Sequence, residues 1–174
     1  GNAASILKIL LKGNVSKSLL NKAVSIIGTD LRLFFCKQGF LRNLETITHF
    51  QKKKLFLVLI KPNIRCSTRE IYSKVQKYSK KQILAQSKIN IKNKLISVLS
   101  RENNDLQSIV ENKFPLIKKL LIAIGNEKGC CFSRMTGSGS VCYGLFKDQI
   151  TAKKALNKLK IKFPSFWFSF AKTV

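Results

Sequence analysis

One uninterrupted apolar run, LFLVLI at residues 55–60, restricts most strongly how this chain can fold. The run is far shorter than the roughly 18 apolar residues of a membrane-spanning helix. Pro62 closes it, because proline cannot donate a hydrogen bond within a sheet. The run therefore predicts a strand over residues 54–62 that is buried on both faces of a sheet.

Helix and strand patterns alternate along the rest of the chain. Helices are predicted over residues 2–12 and 16–27, from residues 67, 106, 115 and 149, and around residues 91–99. Strands are predicted at residues 130–135, 141–146 and 166–174, and a short hairpin is predicted from residues 31–36 and 39–44. From residue 54 onward the order is strand, helices, strand, strand, helix, strand. This order predicts an α+β fold, an antiparallel sheet with helices on one face.

Residues with the chemistry of helix ends stand at the limits of several predicted helices. Ser67 and Glu70 have the spacing of a capping box, so a helix is expected to begin there. Asp105 and Asp148 are predicted N-caps, and Pro115 suits the first turn of a helix.

The chain is strongly basic, with 33 Lys and Arg against 8 Asp and Glu and a formal net charge of +25. This balance favours a nucleic-acid or anionic-membrane partner. Two details favour a solvated lysine-rich surface instead. Most of the basic residues are Lys, which lacks the bidentate fork of Arg. The basic residues are also scattered along the chain, and their longest run is residues 52–54. We therefore expect no nucleic-acid or membrane partner, and a basic RNA- or ribosome-binding module remains the alternative.

The five cysteines are an odd number and form no C-x-x-C pair, which predicts neither a disulfide framework nor a zinc site. Cys130 and Cys131 are adjacent within an apolar run, so we expect reduced, buried thiols in an intracellular protein. The single histidine, His49, has no neighbouring ligand set and is expected at the surface. No metal-ligating residues are predicted.

The stretch FSRMTGSGSVCYGLF, residues 132–146, sets Gly137-Ser138-Gly139 between two apolar runs. Two glycines supply the positive φ that tight turns need, so the simplest interpretation is a β-hairpin loop. A glycine-rich loop also lets backbone N–H groups approach an anion, which is the functional interpretation. The spacing by itself favours the hairpin and leaves both interpretations open.

Several segments, in order, resemble a kinase superfamily, GHMP, named after galactokinase, homoserine kinase, mevalonate kinase and phosphomevalonate kinase. RMTGSGSVCYGLF is similar to the superfamily's third motif, in the form found in the 4-diphosphocytidyl-2-C-methyl-D-erythritol kinases. GNAASIL, IGTDLRLFF, LIKPNIRCSTREIY and NDLQ resemble other segments of that branch in the same order. The resemblance extends over essentially the whole chain.

The resemblance implies a fold, a reaction and a division of the chain. Residues 1–53 would end a nucleotide-binding domain, and residues 54–174 would form a ferredoxin-like C-terminal domain. The implied reaction is ATP-dependent phosphorylation of the 2-hydroxyl of 4-diphosphocytidyl-2-C-methyl-D-erythritol in the cytoplasm, within non-mevalonate isoprenoid synthesis, with ATP and Mg²⁺ as cofactors. The first residue is Gly1, and most of the ATP loop and an early catalytic lysine would precede it, so we expect this piece to be inactive alone.

The resemblance also implies catalytic and ATP-binding roles for individual residues among residues 1–53. Asp30 matches the catalytic aspartate, which would orient or deprotonate the attacking hydroxyl; a turn or cap is its structural alternative. Gly1 and Asn2 match the end of the ATP loop, where a helix N-terminus favours phosphate. The family usually has Ser and Asp at these two positions, and proline where Arg32 stands.

In the second part, Gly137, Ser138 and Gly139 are expected to support the ATP and phosphate pocket. Thr68 matches a hydroxyl near the reacting centre, and Tyr72 matches an aromatic that stacks on the cytosine ring. Their structural alternatives are a residue of a helix N-terminus and an amphipathic-face aromatic. A catalytically dead relative, suggested by Gly1, Asn2 and Arg32, and a sister kinase of the superfamily are further alternatives.

Overall fold

The computed structural model describes residues 16–28, 31, 35, 38–42, 46–49, 51–79 and 91–173. The chain divides into two compact units, one ending at Lys52 and one extending from Lys53 to Thr173. The helix predicted over residues 2–12 lies outside the described residues. Within the described ranges, no helix is both long and apolar enough to cross a membrane.

In the first unit, helix α1 (Lys17–Ile27) begins and ends where the sequence predicts. Ser16 is its N-cap and accepts a hydrogen bond from the N–H of Leu19 at 3.2 Å. Gly28 ends it with φ +133°, a conformation that glycine adopts without a Cβ penalty. Val24 of this helix is buried against Leu31.

The predicted hairpin of the first unit forms with a different partner. Strand β1 (Gly39–Arg42) pairs antiparallel with β2 (Thr46–His49), with Gly39 opposite His49. Leu31 and Phe35, the described residues of the run 31–36, lie in 3₁₀ turns. The prediction that this run is the partner strand was wrong, because β2 pairs with β1 and the described Leu31 and Phe35 pack on α1 instead.

The second unit contains a four-stranded antiparallel sheet, with the strands in the order β4-β5-β3-β6. The strands are β3 (Phe56–Lys61), β4 (Cys130–Met135), β5 (Cys142–Phe146) and β6 (Trp167–Lys172). The apolar run at residues 55–60 forms most of β3, a central strand that pairs with β5 and β6. Leu55 and Thr173 extend the β3–β6 pairing, because the N–H of Thr173 donates to the carbonyl of Leu55 at 3.1 Å.

Strand β3 is fully buried on only one face, which corrects the prediction of burial on both. Val58 and Ile60 are 0% exposed, whereas the alternate residues Leu57 and Leu59 are half-buried. The continuous apolar run therefore marks a central strand with one dry face, and its second face is incompletely covered in this unit.

The helices of the second unit follow the predicted order. They are α2 (Thr68–Ser73), α3 (Lys92–Arg101), α4 (Gln107–Lys113), α5 (Pro115–Gly125) and α6 (Gln149–Lys162). All except α3 contribute buried side chains to a single core on the dry face of the sheet: Ile71, Val110, Ile117, Leu120, Ile124, Ala152, Ala155 and Leu159. This α+β arrangement confirms the predicted fold class.

Strand β4 contacts helices on both of its faces. Ser133 donates to the carbonyl of Leu121 in α5 at 2.8 Å, and the adjacent Arg134 donates to the carbonyl of Leu99 in α3 at 2.8 Å. Because neighbouring residues of a strand point to opposite faces, α3 lies opposite α5 at this edge of the sheet. The prediction that the helices lie on one face of the sheet was therefore wrong for α3.

The cysteines are more varied in environment than predicted. Cys142 is buried, and this burial raises the pKa of its thiol to about 12. Cys131 is exposed, because a β-bulge interrupts the pairing of β4 between Cys130 and Phe132. The prediction of a buried thiol was therefore wrong for Cys131. His49 is exposed, as predicted, and Cys36 lies outside the described residues.

The asymmetry of β3 generates a stability prediction. Ile60→Ala is expected to lower the free energy of unfolding by about 2–5 kcal/mol, because it leaves a cavity in the core. Leu59→Ala, one residue away on the half-buried face, removes a similar volume and is expected to cost clearly less. Urea unfolding of the two variants measures the difference, and equal losses would contradict the assignment of one dry face.

The cap of α6 generates a pH prediction. Asp148 accepts a hydrogen bond from the N–H of Thr151 at 2.8 Å, and this bond lowers the pKa of its carboxyl. A lowered pKa in the folded state stabilises the protein above the ordinary aspartate pKa of about 4 and is lost as the pH falls through the folded value. Asp148→Asn keeps a capping oxygen without the charge. Its melting temperature is therefore expected to lie slightly below that of the wild type at pH 7, and the difference is expected to disappear as the pH falls through the lowered pKa of Asp148.

Candidate active site

The segment between β4 and β5 is a hairpin loop, as the simplest interpretation of its glycines predicts. The N–H of Thr136 donates to the carbonyl of Val141 at 2.8 Å, and the N–H of Gly139 donates to the carbonyl of Thr136 at 3.0 Å. Gly137 and Gly139 have φ values of +48° and +91°, and the peptide bond between Gly139 and Ser140 is cis. We call residues 136–141 the glycine loop.

The two glycines of the loop have different surroundings. A Cβ on Gly139 would lie 2.9 Å from Sδ of Met135 and 3.1 Å from Sγ of Cys66, so no side chain fits there without movement. A Cβ on Gly137 would have no heavy atom within 4 Å. Gly139 therefore closes the loop against the protein, whereas Gly137 leaves open space beside its backbone.

The backbone beside that space retains hydrogen-bonding capacity. The N–H groups of Gly137 and Ser138 donate to no acceptor within the part of the chain that the structure describes. Consecutive N–H groups in a loop with left-handed residues form a concave donor surface that suits an anion. The arrangement fits a phosphate group at Gly137 and Ser138.

Helix α2 is joined to the glycine loop through side chains. Oγ1 of Thr68 and Oγ of Ser138 form a hydrogen bond of 2.8 Å between residues 70 positions apart. Oγ of Ser140 donates to the carbonyl of Ile64 at 2.7 Å, and Ser140 is only 6% exposed. The structure thus brings together Thr68 and the glycine loop, two of the elements that the sequence singled out.

A cleft of about 540 Å³ opens beside the loop. Gly137, Asn104 and three tyrosines, Tyr72, Tyr78 and Tyr143, are among the residues that line it. Tyr72, predicted from the sequence, therefore lines the same cleft as Gly137. Half of the surface of Tyr72 is exposed, so its ring is available to a ligand.

Ionic contacts hold α2 to the end of α4. The capping interaction predicted for this helix is half formed: the N–H of Glu70 donates to Oγ of Ser67 at 3.4 Å. The Glu70 carboxylate instead accepts hydrogen bonds from Lys113 and, at 3.1 Å, from Lys74. These lysines, Lys113 foremost, lower the pKa of Glu70. Nearby, burial raises the pKa of the Cys66 thiol.

Asn104 also holds the glycine loop, although it was not assigned a role from the sequence. Its Nδ2 donates to the carbonyls of Met135 at 2.9 Å and Gly137 at 2.8 Å. Its Oδ1 accepts from the N–H of Leu106 at 3.0 Å, just before α4. The only sequence signal was its place in the segment NDLQ.

The prediction that Asp105 caps α4 was wrong. Leu106 occupies the N-cap position, and no side chain caps this helix. The Asp105 carboxylate instead accepts from the N–H of Ser79 at 3.0 Å and from the Ser79 hydroxyl.

The remaining predicted site residues, Gly1, Asn2 and Asp30, lie outside the described residues. Their assignments therefore remain predictions. Among the described residues, no group of three or more His, Cys, Asp or Glu side chains is arranged to hold a metal ion.

The chain resembles known proteins over nearly its whole length. Residues 87–165 match the family model described as "GHMP kinases C terminal". A 4-diphosphocytidyl-2-C-methyl-D-erythritol kinase of Pelagibacter ubique (strain HTCC1062) is 34% identical over 99% of this chain and 62% of its own length. The enzyme of the same name from Wolbachia pipientis wMel is 30% identical over 95% of this chain and 59% of its own length. The chain thus spans about three fifths of these relatives.

Two solved kinase structures share the fold of this chain. A crystal structure of 4-(cytidine 5'-diphospho)-2C-methyl-D-erythritol kinase matches 99% of this chain and 63% of its own, with a TM-score of 0.70 at 20% identity. A homoserine kinase from Cytophaga hutchinsonii matches 97% of this chain and 61% of its own, with a TM-score of 0.63 at 15% identity. These structures show the fold of this chain, and its residues 87–165 match the C-terminal model of the GHMP kinases.

Proposed function

We propose that this chain is part of an ATP-dependent kinase that phosphorylates the 2-hydroxyl of 4-diphosphocytidyl-2-C-methyl-D-erythritol, a step of non-mevalonate isoprenoid synthesis in the cytoplasm. The observation that carries the proposal is the 2.8 Å hydrogen bond between Thr68 and Ser138. It joins two motifs that match this kinase branch and that lie far apart in the sequence. The named relatives support the same reaction.

Each part of the chain has a role in the proposed reaction. Residues 1–53 are the C-terminal part of the nucleotide-binding domain, and residues 54–174 form the ferredoxin-like C-terminal domain. Phosphoryl transfer depends mainly on positioning and charge stabilisation. We assign Asp30 to orient or deprotonate the attacking hydroxyl, and Gly1 and Asn2 to the end of the ATP loop.

We assign the cleft of the second unit to a phosphate group and to the cytosine base of the cytidylylated substrate. The free N–H groups of Gly137 and Ser138 suit a phosphate. The exposed ring of Tyr72 suits stacking on the cytosine base. The Thr68 hydroxyl suits a polar contact to the part of the substrates between the phosphate and the base. Gly1, Asn2 and Arg32 differ from the residues that the family usually has at these positions. None of these differences falls on Thr68, Tyr72 or the glycine loop.

ATP brings its metal ion with it in this proposal. The described residues supply no metal-binding cluster of their own. Mg²⁺ is commonly held by substrate phosphates and only one or two carboxylates, and it neutralises phosphate charge. We therefore assign no described residue as a metal ligand.

The test of the proposed function uses the protein extended at its N-terminus to the length of its relatives. Wild type is expected to consume ATP only when the cytidylylated methylerythritol is present. Asp30→Asn is expected to lower kcat by about 10²- to 10⁴-fold, because it removes the carboxylate from the reacting hydroxyl. Asp148→Asn, the same chemical change at a helix cap, serves as the control and is expected to retain activity. A well-folded wild type without turnover would contradict the proposal, and salt-dependent RNA binding by that protein would favour the basic binding module.

The two loop glycines generate a second prediction in the same assay. Gly139→Val is expected to abolish activity with secondary structure intact, because its side chain would collide with Met135 and Cys66. Gly137→Ala adds a methyl group in open space and keeps the positive φ at a modest cost. It is expected to raise the KM for ATP several-fold and to change the melting temperature less than Gly139→Val. Full activity of Gly139→Val would contradict the assignment of the glycine loop to the active site.

A further inference from the structure

Tyr78 lies in the cleft beside the glycine loop, although no pattern in the sequence pointed to it. It lines the same cleft as Tyr72 and Gly137, and its side chain is 61% exposed. The segment that carries it, residues 75–79, follows α2 without regular secondary structure. An exposed aromatic on such a segment needs an anchor if it is to present its ring in one place.

Asp105 supplies that anchor. Its carboxylate accepts two hydrogen bonds from Ser79, one from the backbone N–H at 3.0 Å and one from the hydroxyl. Hydrogen bonds to a charged acceptor are stronger than neutral ones, so the pair fixes the backbone directly after Tyr78. This use of Asp105 explains why the residue does not cap α4.

The preceding residue anchors the other wall of the cleft. Asn104 donates to the carbonyls of Met135 and Gly137, and its oxygen is fixed by the N–H of Leu106. Two adjacent side chains therefore point to different partners: one holds the glycine loop and the other holds the segment of Tyr78. Both Asn104 and Asp105 line the cleft between these walls.

We infer that Asn104 and Asp105 are positioning residues that set the two walls of the cleft independently. Asn104 acts through the backbone of the glycine loop on the phosphate side. Asp105 acts through Ser79 on Tyr78, which serves as a second aromatic surface for the nucleobase in addition to Tyr72. The inference rests on the proposed kinase function and adds residues and a division of labour to it.

The chemistry of the two walls predicts separate kinetic effects. Stacking of a base on an aromatic ring corresponds to roughly tenfold in affinity or more. Loss of the Tyr78 ring, or of its anchor, is therefore expected to raise the KM for the cytidylylated substrate about tenfold and to leave the KM for ATP unchanged. Loosening of the glycine loop is expected to affect the KM for ATP and kcat instead.

A double-mutant cycle tests the Asp105 wall in the N-terminally extended protein. Tyr78→Leu and Asp105→Ala are each expected to raise the substrate KM about tenfold. The double variant is expected to match the single variants, because both changes remove the same ring from the cleft. Ser79→Ala, which removes only the hydroxyl bond, is expected to shift the KM in the same direction by a smaller factor. Additive effects in the double variant, or an unchanged KM in Tyr78→Leu, would overturn the assignment.

A parallel comparison tests the Asn104 wall. Asn104→Ala is expected to lower kcat at least tenfold and to raise the KM for ATP, with the substrate KM changed less than threefold. Asn112→Ala, at an exposed asparagine of α4, is the matched control and is expected to retain both parameters. Equal effects of Asn104→Ala and Asp105→Ala on both KM values would overturn the division between the walls.

The same measurements separate this inference from the proposed function. A wild-type protein without substrate-dependent turnover contradicts the proposed function itself. A wild type with turnover, in which the variants at Asn104 and Asp105 change only the melting temperature, leaves the function intact and overturns the positioning roles.

Discussion

The pairing of β5 with the central strand β3 is the constraint on which the rest of the second unit depends. Ile60 at the end of β3 lies opposite Cys142 at the start of β5, and Cys142 also lies opposite Met135 at the end of β4. The chain therefore leaves β3 and turns from β4 into β5 at the same end of the sheet. This register brings α2 and the glycine loop together, and the burial of Val58 and Ile60 keeps it in place.

Much of this fold was predictable because its signals are local. A single apolar run predicted the central strand, and cap residues such as Ser67, Asp148 and Pro115 predicted where helices begin. The errors occurred where a distant partner decides the outcome. Asp105 has the chemistry of a cap but bonds to Ser79 across the intervening chain. The run at residues 31–36 is apolar enough for a strand, yet its described residues pack on a helix.

The candidate site was predictable to the extent that its residues stand in motifs. Thr68, Tyr72 and the glycines were singled out by their resemblance to a kinase branch. The structure places Tyr72 and Gly137 on one cleft and joins Thr68 to Ser138 of the glycine loop. Asn104 and Tyr78 were not assigned. Asn104 recognises backbone carbonyls rather than side chains, and such a contact leaves no complementary residue in the sequence. Tyr78 occupies a segment without periodicity, so its exposure depends on an anchor that only the folded chain contains.

The hydroxyl pair between α2 and the glycine loop has a consequence for the hydrogen-bond donors beside the loop. Thr68 and Ser138 each carry one hydroxyl hydrogen, and the hydrogen bond between them uses only one of these two hydrogens. The second hydrogen is free to rotate toward a third group, whichever residue donates within the pair. Reversing the direction of the bond moves this spare donor from the helix to the loop without displacing a heavy atom. The hydroxyl pair thus presents one spare donor, on the helix or on the loop, depending on which of the two residues donates within the pair.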